Sequence, residues 1–332
     1  MPNLPKPRLR RSARARGAAV APAPEPDRLR IEEVAHGELR WFNVERMGPR
    51  ERAWLEERFD FHPLDYEDVG SRNQRAKIDE YDGYLFAILF FPRFDKELGR
   101  LNAAELDLFV GPDFLVTMPN AGIKSLEFLF ERCRGDAELR ARLFSQGSGY
   151  LLYKVVDDCV DASFPLLRKI GNKLERLEQA IFEGRSDEVV RDISNAKQEI
   201  INFRKIVRPQ RVVFSDLERT KNRFLSGDLE IYFDDINDAS ERIWQLLEGY
   251  KETVEALENT NESVLSHRLN DVLRVLTVLT VIFLPPTLIS GIFGMNNHVP
   301  GEGSDTAFWI VIGAIVFLLL GMLVFFKRRR WL

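Results

Sequence analysis

Asn296 closes a Gly294-Met295-Asn296 turn at the end of Val275 to Phe293, a run of 19 residues without a charge. An asparagine amide oxygen accepts hydrogen bonds without carrying charge, and the free carbonyls of a helix end add negative potential beside it. That combination suits a dication still holding its water. Mg2+ keeps a near-octahedral shell and dehydrates reluctantly, so neutral acceptors can capture it and still let it leave. Gly294 permits the chain to leave the helix. In a soluble helix the same tripeptide is a C-cap and a turn; at a membrane exit it is a candidate selectivity filter.

Upstream, Asn270, Leu273, Thr277, Thr280, Leu284, Thr287 and Gly291 recur at steps of three and four. They therefore share one helix face, where hydroxyls and small groups alternate with leucine. The face either lines a pore or packs on neighbouring helices, and Leu276 can take the place of Thr277 on it. In a pore, threonine oxygens would meet the ion's water shell, and rings of Leu273 and Leu284 would gate by dewetting. Pro285 and Pro286 have no N–H, which frees carbonyls near Val281 and Ile282 and fits a kink made for a pore or for packing.

A membrane must hold this face in place. Val275–Phe293 and the 20 residues Ala307–Phe326 each match the ~20 that cross ~30 Å of hydrocarbon as helix. The competing reading, a hairpin buried in a soluble core, sits poorly with the basic cluster Lys327-Arg328-Arg329-Arg330 that closes the second run. Those residues, with Arg268 and Arg274 before the first run, place both ends in the cytosol and predict a multi-pass protein of the inner, plasma membrane. The outer loop and turn then cover 294–306, and some 270 residues precede them inside the cell.

Residues 1–30 carry eight Lys/Arg against Glu25 and Asp27, among Pro and Ala, and read as a disordered basic tail. With that tail set aside, a net charge of −4 becomes about −10 on the rest, which favours cations and argues against nucleic acid. From 31 to 148 the pattern is α+β, with a mainly antiparallel or mixed sheet. Strand pairs flank Gly37, Asp82-Gly83 and Gly111-Pro112-Asp113, and helices fall at Arg50–Arg58 and Ile123–Arg134. From 149 to 228 helical periodicity dominates, in Tyr150–Glu183 and in Ser186–Leu225 interrupted near Pro209. One rod from 229 to 293, on the order of 95 Å long, would join the soluble part to the first span; 307–326 is the second span and 327–332 a basic cytosolic end.

The two cysteines, Cys133 and Cys159, make no metal-binding pattern, and His36, His62, His267 and His298 are scattered. No G-x-x-x-x-G-K-[ST] or dinucleotide glycine pattern occurs, so no nucleotide use is expected. Nor does any Ser/His/Asp or paired-carboxylate arrangement stand out from surface charge, and the chain does not read as an enzyme. A two-span anchor that binds protein partners and conducts nothing is the remaining reading of a different class.

Gly294-Met295-Asn296 after the first of two C-terminal spans resembles the CorA family of divalent-cation channels. Phe61-His62-Pro63-Leu64, Tyr150-Leu151-Leu152-Tyr153, Pro285 and the Lys327–Leu332 terminus are similar too, and the resemblance runs from Leu29 to Leu332. It implies a homopentamer in the lipid bilayer that carries Mg2+ through a pore and senses cytosolic Mg2+ between neighbouring soluble domains. By position the sensing carboxylates are Asp95 and Asp235, with Asp238 one turn later. Two departures bear on ion choice. Phe293 stands where many relatives carry Tyr, and the loop after Asn296 lacks the usual Met-Pro-Glu, with Glu302 as the acid two positions late. His298 at the mouth points to the alternative cargo of Zn2+, Co2+ or Ni2+.

Overall fold

The computed structural model describes residues 29–71, 75–95, 99–183, 186–220, 229–294, 304–329 and 331. Its strands are β1 (Ile31–His36), β2 (Leu39–Val44), β3 (Lys77–Glu80), β4 (Leu85–Asp95), β5 (Arg100–Val110) and β6 (Phe114–Pro119). They form one mixed sheet in the order β1-β2-β6-β5-β4-β3, with β2 and β6 parallel and the other pairs antiparallel. The expected turns are where the glycines put them. In the tightest, His36 faces Leu39 and Gly37 takes φ +61°, the left-handed conformation that a two-residue hairpin loop needs.

Strand alternation sorts side chains to two cores. Leu85, Ala87, Leu89 and Phe91 point to one and Phe86 and Ile88 to the other. The second core is aromatic and lies under α1 (Pro49–Arg58) and α2 (Pro63–Gly70), with Phe61 stacked on Phe109 at 4.1 Å between ring centroids. The first core lies under α3 (Lys124–Gly135), α4 (Ala137–Phe144), α5 (Ser148–Asp161) and the longer helices that follow. Trp41, fully buried there, donates its indole N–H to Thr117 Oγ1 at 3.1 Å.

The helices differ from the sequence expectation in three places. Tyr150–Glu183 is two helices, α5 and α6 (Phe164–Glu183), because Pro165 has no N–H for the Asp161 carbonyl and its ring disfavours helical geometry before it. The Ser163 carbonyl takes over by accepting from the Leu166 and Leu167 amides, both at 3.1 Å. Conversely, α7 (Ser186–Arg219) runs through Pro209 uninterrupted. Pro209 is exposed, so water can satisfy the carbonyl it frees, and the next residue pins the helix to the sheet: Gln210 accepts from the Phe90 amide at 2.8 Å and donates to the Phe90 carbonyl. Finally, α2 and α4 were not foreseen; each is only 8 residues long.

The rod is a single helix, α8 (Glu230–Phe293), of 64 residues and so about 96 Å long. It passes through Pro285 and Pro286 without a break in assignment. The last helix, α9 (Asp305–Arg328), folds back on it, where Val278 and Ile282 bury against Phe326, Leu319 and Met322. Both α8 and residues 308–328 are long and apolar enough to cross a membrane.

One buried acid carries a measurable consequence for stability. Asp107 on β5 is 3% exposed, and its Oδ1 has no hydrogen-bond partner among the described residues. Burial first, then the charges of Glu105 and Asp68 and the contact with the Glu105 side chain, push its carboxyl well above the usual range and so favour its protonated form. A folded-state pKa raised above the unfolded value gives stability that is full below the unfolded pKa and lost as pH rises through the folded one. Asp107→Asn keeps the shape and a donor and should therefore raise Tm at pH 7.5 by about 2–6 °C. Thermal melts at pH 4.5 should show little difference, and an equal gain at both pH values would contradict this account.

Candidate functional site

The stripe inferred from sequence lies on α8 as one exposed face. Asn270, Leu273, Thr277, Thr280, Leu284, Thr287 and Gly291 are all exposed in the single chain, with Leu273 at 54% and Leu284 at 60%. Val278 and Ile282, the residues that α9 covers, centre roughly 160° round the helix from the middle of the stripe. The chain's own second span thus leaves the polar stripe bare.

Threonine chemistry on this face is specific. Thr277, Thr280 and Thr287 donate their hydroxyl protons to the carbonyls of Leu273, Leu276 and Phe283, at 2.7, 2.8 and 2.8 Å. With the proton committed to the backbone, each oxygen presents lone pairs outward. Such a surface accepts from water and from a cation's hydration shell.

At the end of α8, Gly294 has φ −85° and ψ −5° and donates its N–H to the Ser290 carbonyl at 2.9 Å. The helix therefore ends in right-handed geometry, without the left-handed freedom of glycine. Met295, Asn296, His298 and Glu302 lie outside the described residues, as do Arg330 and Leu332.

The three carboxylates inferred as sensors do not form one cluster in sequence order. Asp95 ends β4, where Asn102 Nδ2 donates to it at 3.3 Å and Arg93 stands 3.9 Å away, both from the same hairpin. Asp235 and Asp238 are exposed near the start of α8. What the structure adds is the company of Asp235. It opposes the ionisation of Tyr153 and of Asp161 on α5. Burial first, then Asp157, raises the Asp161 carboxyl, with Asp158 and Asp235 adding to the effect against Lys154. Tyr153 is pushed up to about 12, by burial and then by Asp157 and Asp235. Lys154 partly offsets this charge, at 2.8 Å from both Asp157 and Asp158.

Sequence reasoning missed Asp157, Asp158 and Asp161. Their spacing of three and four on one helix was the available signal, but nothing in sequence brings α5 against Asp235. A second acidic group, Asp65, Asp68 and Asp79, has oxygens within 4.8 Å of one another. Lys77 Nζ already fills it, 2.5 Å from Asp68 and from Asp79, while Tyr81 and Tyr84 donate to Asp65 at 2.9 and 2.7 Å. Burial works against the charge on Lys77, but its bonds to Asp68 and Asp79 outweigh that and raise its pKa. This group serves to hold α2 to β3.

Comparison with known proteins converges. Residues 36–328 match the sequence model of the family described as "CorA-like Mg2+ transporter protein". The chain is 29% identical over 275 residues to the cobalt/magnesium transport protein CorA of Thermotoga maritima, covering 82% of this chain and 78% of that one. It is 20% identical to the zinc transport protein ZntB of Yersinia pestis, covering 88% of each. In fold it matches the complete structure of the CorA magnesium transporter from Methanocaldococcus jannaschii, with TM-score 0.77 at 21% identity over 91% of this chain and 94% of that one.

Proposed function

The chain belongs to the CorA family of divalent-cation transporters, and from that premise we propose that it is a channel subunit passing hydrated Mg2+ into the cytosol. The observation that carries this reading is the bare stripe on α8, polar on the side away from α9 and leading to Gly294-Met295-Asn296. Two spans cannot enclose a pore, so copies of the chain assemble with α8 inside and α9 toward lipid, five of them as in the family. Arg268, Arg274 and Lys327–Arg330 mark the cytosolic side of the inner membrane, with both termini inside.

The Thr277, Thr280 and Thr287 oxygens exchange hydrogen bonds with the ion's waters, and Leu273 and Leu284 close the pore by dewetting. The membrane potential supplies the drive. A dication gains about 4.6 kcal/mol on crossing ~100 mV, twice the ~2.3 of a single charge, so no nucleotide is required. Cytosolic Mg2+ is also the regulator, bound between Asp95 of one copy and Asp235 and Asp238 of the next. The test is flux: purified protein in liposomes with an interior-negative potential should load Mg2+ into a trapped indicator. Folded protein that gives no flux would leave only the non-conducting anchor.

A second reading concerns cargo. His298 on the outer loop and the similarity to ZntB favour Zn2+, Co2+ or Ni2+. Flux of each metal with and without a pH gradient separates the two, because a soft-ion carrier would pass Zn2+ faster than Mg2+.

Thr287→Val offers a smaller check on the stripe. It preserves side-chain shape and removes one oxygen per copy, a loss on the order of 1 kcal/mol, so conductance should fall about fivefold. Circular dichroism should be unchanged, since the hydroxyl bonds only within its own helix.

A further inference from the structure

Between α7 and α8 lies a groove of about 240 Å³ at which Lys197, Arg204, Lys205, Arg208 and Lys251 converge. A concentration of bases is unexpected in a chain whose net charge is −4. Three of the five are matched: Lys197 pairs with Glu258 at 2.6 Å, Arg204 with Glu248 at 2.5 Å and Lys251 with Glu255 at 3.6 Å. Lys205 and Arg208 have no acidic partner within 4.0 Å among the described residues, and both are exposed on α7. The groove therefore carries two uncompensated positive charges. Its accessible apolar surface comes from Ile201 and Trp244, over the buried Ile200 and Val254, and Trp244 is fixed in place by Arg204 and Arg211 over its ring at 4.9 and 5.2 Å.

Its position leaves it open in an assembly built on the pore stripe. Trp244 and Lys251 stand nine and sixteen residues beyond Asp235, which at 3.6 residues per turn is about half a turn round α8. The groove thus faces away from the side on which neighbouring copies would meet. Val254 is 21 residues short of Val275, roughly 30 Å along the helix from the first membrane residue, so lipid headgroups are out of reach.

We propose that this groove binds a small organic phosphate from solution, a phosphomonoester of modest size. Its dianionic head meets Lys205 and Arg208, the two charges without partners, and the guanidinium fork of Arg208 matches phosphate oxygens. Its apolar body lies on Ile201 of α7 and Trp244 of α8, so that the ligand bridges the two helices. The site is built from the groove's own residues whichever ion the pore carries, and its openness in the assembly rests on the proposed placement of Asp235 between copies.

Phenyl phosphate is the probe, titrated calorimetrically into the full chain in detergent with EDTA present, beside inorganic phosphate and phenol. Phenyl phosphate should bind, inorganic phosphate should bind about tenfold more weakly, and phenol should give no heat. In K205Q/R208Q the affinity for phenyl phosphate should fall at least about tenfold with Tm unchanged, since both side chains are exposed. Unchanged affinity in that variant, or no binding by the wild type, overturns the site. Equal affinity for inorganic phosphate overturns the role of the apolar surface. In nanodiscs made with anionic lipid the affinity should be the same as in zwitterionic ones; its loss there would give the groove to lipid headgroups instead.

Discussion

Asn296→Ala is expected to reduce potential-driven Mg2+ entry into proteoliposomes by at least about tenfold, with insertion and assembly intact. Each copy offers one amide oxygen at the mouth, and a hydrogen bond to a charged partner contributes about 1.5–3 kcal/mol. An ion that holds its water is bound by such contacts alone, and every 1.4 kcal/mol is a factor of about ten. Alanine removes the acceptor from the whole ring at once and adds no bulk. Asn296→Asp should fail differently. A ring of carboxylates would capture the dication and hold it, so binding at the mouth should tighten while flux still falls. Flux as a function of outside Mg2+ separates the two variants: the alanine form needs more ion to reach half its rate, and the aspartate form less. An alanine variant that conducts like wild type would remove the filter from this turn.

The right-handed Gly294 fits the same picture. Because its φ is −85°, the helix ends with the Gly294 amide bonded to the Ser290 carbonyl. The C-terminal end of a helix carries the negative pole of its dipole, which favours a cation beside it.

What could be read from sequence followed from periodicity and from charge gaps. The turn signal Asp82-Gly83 within Lys77 to Phe94 marked a strand pair, and the absence of charge from Val275 to Phe293 marked a span, because each signal is carried by many residues. Short helices do not repeat enough to be seen: α2 and α4 have barely two turns each. Pro165 and Pro209 look alike as letters, yet one separates two helices and the other sits within one. The difference lies in tertiary structure, since the Gln210 amide clamps α7 to Phe90 just where the proline weakens it. The stripe on α8 was legible because one helix carries all of it. The acids of α5 were not, because their meaning depends on the approach of Asp235 from a helix more than seventy residues later.

Replacing both Asp95 and Asp235 by alanine should leave Mg2+ flux open when the inner face is bathed in Mg2+, whereas the wild type should close. Flow down the membrane potential would otherwise continue past need, so closure has to respond to the ion itself. A mostly hydrated Mg2+ bridging carboxylates from two copies binds weakly, as a sensor working at cellular ion concentration should. The crowding around Asp235 supplies the electrostatic reason for such binding. Burial first, then the charge of Asp157, with Asp158 and Asp235 adding to it, hold the Asp161 carboxyl above its usual range, and Lys154 offsets only part of this. On the proposed reading, a dication arriving at Asp235 would relieve that repulsion, and without it the copies would repel across the interface and leave the α8 bundle free to open. Asp157→Asn should therefore shift closure to higher Mg2+ by a few-fold, and the double alanine variant should abolish it. The measurement is flux into liposomes preloaded with and without Mg2+, for protein oriented with its soluble part inside. Closure in the double variant at the wild-type Mg2+ concentration would show that these carboxylates are solvated surface and that the sensor lies elsewhere.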